Sequence, residues 1–127
     1  MVENVYPTRE TIISLAGRLG LPLPGPFTQD WEYEVADPSK ISEWLEVYES
    51  GKLNHDERSL LMTLLLTSHN EALENGSDQQ NNWAKIRDFL ERDRSIHQKA
   101  IQYWSLPDEA DLENCFAITP LVRTINT

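Results

Sequence analysis

The chain holds one cysteine, Cys115. No intramolecular disulfide can form, and a zinc site built from several thiolates is excluded. Basic side chains are also scarce: eleven Lys and Arg stand against twenty-one Asp and Glu, a formal net charge of −10. A surface of that sign repels phosphate backbones, so no nucleic-acid partner is expected. Long apolar runs are missing, since the longest, residues 60–66, falls well short of the roughly 20 residues that span a bilayer. No membrane partner is expected either. The first seven residues carry neither a basic leader segment nor an apolar one, which together with the lone thiol makes the expected location cytoplasmic. Glycine is sparse, five in all, and apart from Gly17, which falls inside the first helix, they read as caps or turns. None builds a phosphate-cradling loop or a Gly-x-Ser-x-Gly elbow.

What remains is an ordinary globular composition, 39% hydrophobic and 25% charged over 127 residues, with four tryptophans. This length suits one domain spanning 1–127 with its own core. The charge is unevenly spread. Residues 28–76 hold eleven acidic side chains and three basic ones, whereas residues 77–105 hold five basic and four acidic. A dipole of this kind can orient a partner or a second copy.

Apolar spacing near 3.6 dominates the pattern. Thr8 caps a first helix over Arg9–Leu19, and Gly20 closes it. The proline-rich residues 21–26 cannot continue it. Asp37-Pro38 opens a second helix with Ile41, Trp44, Leu45 and Tyr48 on one face, ended by Gly51. Asn54 and Glu57 have the spacing of a capping box, from which a third helix runs to about Asn75. Its apolar residues, Leu60 to Leu66 with Ala72 and Leu73, cover more than half its circumference, which demands a central position. Trp83, Ile86, Phe89 and Leu90 mark a fourth helix, and Ile96, Ala100, Ile101, Tyr103 and Trp104 a fifth. Their stripes are out of phase, so a break is expected over residues 92–95, with Asp93 or Ser95 as cap. A helical turn follows Pro107 and reaches Phe116, and a last short helix starts at Thr119-Pro120. Residues 31–35, Trp-Glu-Tyr-Glu-Val, alternate with period two and predict an extended strap within residues 29–36. The fold class is therefore all-α, a bundle-like domain of five to six helices crossed by one extended segment.

Catalytic constellations are thin. His55, Glu57, His69 and Glu71 share the third helix, but His55 and His69 lie about 21 Å apart along its axis, and each is turned about 200° from the Glu two residues on. They cannot share an ion. His69 falls on the apolar stripe near Leu65 and Met62, the position of a hydrogen-bonded core histidine. Cys115, followed by Phe-Ala-Ile and close to Asp111 and Glu113, is expected to be a buried structural thiol. Paired carboxylates such as Glu32 and Glu34, or Glu43, Glu46 and Glu49, belong to wet faces. No catalytic residue, metal ligand or cofactor is assigned.

Trp31 and Tyr33 stand out because acids surround them. Asp30, Trp31, Glu32, Tyr33, Glu34 and Asp37 together resemble a hot spot for a basic protein. The sequence thus favours a noncatalytic acidic protein-interaction module, such as an inhibitor, an immunity-type antagonist or an adaptor. One alternative is a small helical enzyme or metal-binding protein that uses His69, His97 and carboxylates in an interhelical cleft. Another is a structural homo-oligomer that pairs the edge of residues 31–35 with its copy.

Overall fold

The computed structural model describes residues 8–24, 31–77 and 80–125. Among the described residues seven α-helices follow one another: α1 (Arg9–Leu19), α2 (Trp31–Glu34), α3 (Ile41–Glu49), α4 (His55–Glu74), α5 (Gln80–Arg92), α6 (Arg94–Ser105) and α7 (Thr119–Val122). Short 3-10 turns cover Pro38–Lys40 and Leu112–Asn114. The class is all-α, and no strand occurs among the described residues.

The helix boundaries follow local chemistry. The Thr8 hydroxyl accepts from the Thr11 amide, and Gly20 takes φ 68 at the other end of α1. A left-handed residue there lets the chain turn back without a Cβ clash. At α4 the capping box closes in both directions: Asn54 Oδ1 accepts from the Glu57 amide at 2.8 Å, and Glu57 Oε1 accepts from the Asn54 amide at 3.1 Å. Asp37 accepts from Ser39 and caps the Pro38–Lys40 turn that leads into α3.

Helix α4 lies at the centre, packed by α1, α2, α3, α5 and α6. Leu61, Met62, Leu64, Leu65, Leu66 and even Ser68 are fully buried on it. An apolar girdle of this width is stable only when other helices cover all sides. Trp44 from α3, Ile86 and Leu90 from α5, and Trp104 from α6 complete the core.

Three expectations are corrected. Residues 31–34 form a helical turn and not a strap; residues 29 and 30 lie outside the described residues. With no second strand to pair with, the segment satisfies its backbone by closing on itself, the Val35 amide donating to the Trp31 carbonyl at 3.0 Å. The i, i+4 relation puts Trp31 and Val35 inward on α4 and leaves Tyr33 and Glu34 outside. The helical turn expected after Pro107 shrinks to the Leu112–Asn114 turn. Finally, the break between α5 and α6 falls at Asp93, but its side chain caps nothing.

Candidate functional site

Of the six residues read as a hot spot, the structure leaves two, Tyr33 and Glu34, exposed. Asp30 lies outside the described residues. Trp31 is buried at 2% exposure, and its indole N–H donates to the Pro22 carbonyl at 2.9 Å, so it anchors the proline-rich connector to the core. Asp37 is a cap: its carboxylate accepts from the Ser39 amide and hydroxyl, and those bonds, chiefly the hydroxyl, hold it below the usual carboxylate range. Its own amide donates to the buried Ser68 hydroxyl on α4. Glu32 is half-buried, while Tyr33 and Glu34 are exposed.

Tyr33 has a companion that the sequence did not reveal. Its hydroxyl lies 3.1 Å from the hydroxyl of Tyr103 on α6, seventy positions later. Both rings are open to solvent, at 43% and 51% exposure. Tyr103 is fixed from behind, edge-on to Trp104 at 5.3 Å between centroids and tilted against Phe116 at 5.5 Å. Period 3.6 put Tyr103 on the buried stripe of its helix, yet it sits at the margin, where one ring edge packs and the hydroxyl reaches water.

The two histidines do not form a common site. His69 is buried and stacked on Trp83 at 5.8 Å, with Nδ1 lacking a hydrogen-bond partner among the described residues. It is a core residue as expected, but Nδ1 is not hydrogen-bonded, and burial pushes its pKa down. His97 belongs to a different cluster. The Tyr48 hydroxyl of α3 donates to Asp93 Oδ2 at 2.5 Å and lies 2.6 Å from His97 Nε2. The hydroxyl has one proton, which goes to the carboxylate, so its oxygen accepts from Nε2–H, and burial keeps the imidazole neutral. His97 Nδ1 is then a bare lone pair, buried and without a partner among the described residues. Burial is the main reason that the His97 pKa is pushed down to about 4; Arg58 adds to this and the Asp93 carboxylate opposes it. Burial and then Asp93 also hold the Tyr48 phenol protonated. Phe89 stacks on Tyr48 at 4.4 Å, and the Arg92 guanidinium lies over the Phe89 ring at 4.8 Å. Asp93 and His97 are an i, i+4 pair, a spacing that could have pointed to this cluster.

Among the described residues, no group of three His, Cys, Asp or Glu side chains is placed to hold a metal ion. Cys115 is half-buried and not fully enclosed: its Sγ contacts the Asp111 carbonyl at 3.6 Å and Arg123 Nη2 at 3.7 Å. The acids of α3, Glu43, Glu46 and Glu49, all face solvent. The chain matches no known family model, no curated protein and no solved structure.

Proposed function

We propose that this protein is a noncatalytic, acidic interaction module that binds a basic protein through the surface where α2 meets α6. The observation that carries the reading is the solvent-open Tyr33–Tyr103 hydroxyl pair beside Glu34 and Glu32. Paired tyrosines offer a large, rigid contact area at low conformational cost, and their phenol faces attract Lys and Arg side chains. Carboxylates at the rim add steering toward a cationic partner. The net charge of −10 and the wet acidic face of α3 favour the same class of partner over long range. The contact set is therefore Glu32, Tyr33 and Glu34, joined by Tyr103 in place of Trp31 and Asp37. Pairing of an extended edge in a homo-oligomer loses its basis, because residues 31–34 are helical and Trp31 is buried.

The test is capture from native lysate at low salt with the full chain as bait. One basic protein is expected, identified by mass spectrometry, with binding that weakens as salt rises. It should be lost from a Glu32→Lys, Glu34→Lys bait and from a Tyr33→Ala, Tyr103→Ala bait. Equal recovery by wild type and both variants, or no recovery at low salt, overturns the reading.

A further inference from the structure

We propose that the break between α5 and α6 is a proton-operated latch, with the Tyr48 hydroxyl as its pin and His97 as the group that releases it. Asp93 marks the break, at φ −108 and ψ 37. A carboxylate at the start of a helix ordinarily accepts from an amide of the first turn. Here that capping bond is absent, and the carboxylate reaches across to α3 instead. One turn into α6, His97 meets the same hydroxyl. A single oxygen on α3 thus holds both sides of the break.

The neutral imidazole is the form this dry site accommodates, although either form can keep the Nε2–H bond to the pin. Gaining a proton would place an N–H at Nδ1, where the described residues offer no acceptor, and a positive charge in a dry site. The surroundings do not welcome that charge. Asp93 at the break favours it, but Arg58 on α4 and Arg92 at the end of α5 oppose positive charge in this cluster, while Tyr48 faces it from α3 as a neutral phenol. The cationic ring is relieved by moving to water, which swings the first turn of α6 away from α3.

Amide hydrogen exchange of the free full-length protein, followed by NMR between pH 6.5 and 4.5, tests it. Opening coupled to uptake of one proton makes the protection of α6 amides fall about tenfold per pH unit, and at every pH these amides stay less protected than those of α4, which exchange only on global unfolding. His97→Gln supplies an N–H for Tyr48 but cannot take up a proton, so its α6 protection should not change with pH. Asp93→Asn removes an anion that favours the cationic ring in the closed site, so its loss of protection should continue to lower pH than in wild type. The proposal is overturned by a flat pH response in wild type, by α6 amides being as well protected as those of α4 at every pH, or by His97→Gln retaining the wild-type slope. Wild type alone can give the first two results, so a variant that fails to fold does not leave the question open. Because no partner is present, failure of the latch leaves the binding reading standing, and loss of the binding reading leaves the latch measurable.

Discussion

Glu57 shows how much one side chain can do at the residue scale. It is almost fully buried, yet its carboxylate receives the Asn54 amide, the Ser14 hydroxyl at 2.7 Å and Arg18 Nε at 2.8 Å. Burial alone would raise its pKa, but the bonds from Asn54, Ser14 and Arg18 outweigh this and hold it below the ordinary glutamate range. The capping role was legible from the Asn-x-x-Glu spacing. The tie from α4 to Ser14 and Arg18 of α1 was not, because those partners are about forty residues away. Glu57→Ala leaves three donors without their acceptor and should cost about 2–3 kcal/mol, less than a fully buried pair because Arg18 reaches water. Urea denaturation would show this as a lower midpoint at unchanged slope. Since the folded pKa is lowered, the contribution of Glu57 is present above the unfolded value and fades as pH falls through the folded one. The variant should lose that part of the acid dependence.

At the scale of elements, the end of α6 is secured by a residue that sequence reading passed over. Leu106 closes the helix at φ 44, in the left-handed region, although it is not glycine. Arg123, which follows α7, donates to the carbonyls of Ser105 at 2.7 Å, Leu106 at 2.6 Å and Glu109 at 2.7 Å. A guanidinium at a helix C-terminus satisfies orphan carbonyls and meets the negative end of the dipole. Thr119 adds a buried bond to the Trp104 carbonyl at 2.8 Å, and Asn70 of α4 accepts from the Ile118 amide at 3.0 Å. Arg123→Ala should therefore destabilise by about 1–2 kcal/mol and speed exchange mainly in residues 106–122. Equal acceleration in α1 would show that the effect is not local. The break at Asp93 was readable from the phase of two apolar stripes, but its carboxylate turns to Tyr48 because a phenol buried on α3 needs an acceptor.

For the whole molecule, pH is the most informative variable. His97 stays neutral in the fold to about pH 4, whereas an unfolded histidine titrates near 6.5. Between these values the unfolded chain binds the extra proton, so stability falls as pH decreases across that window. The full contribution is present above the unfolded value, and its loss is worth about 3 kcal/mol by pH 4. Burial pushes His69 in the same direction. Urea midpoints at pH 7 and pH 4.5 should differ clearly in wild type and less in His97→Gln. Equal differences would mean that other groups carry the acid response. Among the described residues no helix is long and apolar enough to cross a membrane.

Periodicity, caps and prolines determined the five longer helices, though not the short turn of residues 31–34, and also that α4 is central and where α5 gives way to α6, because these depend on neighbours within one or two turns. Composition likewise determined the sign of the surface. Only the tertiary structure decided that Trp31 is an anchor and not a contact, that Tyr33 finds Tyr103, and that Tyr48 gathers Asp93 and His97. Each of those outcomes joins residues far apart in the chain. Local spacing constrains only which face of a helix a side chain occupies; the packing of other helices decides which groups that face meets and which of them water still reaches.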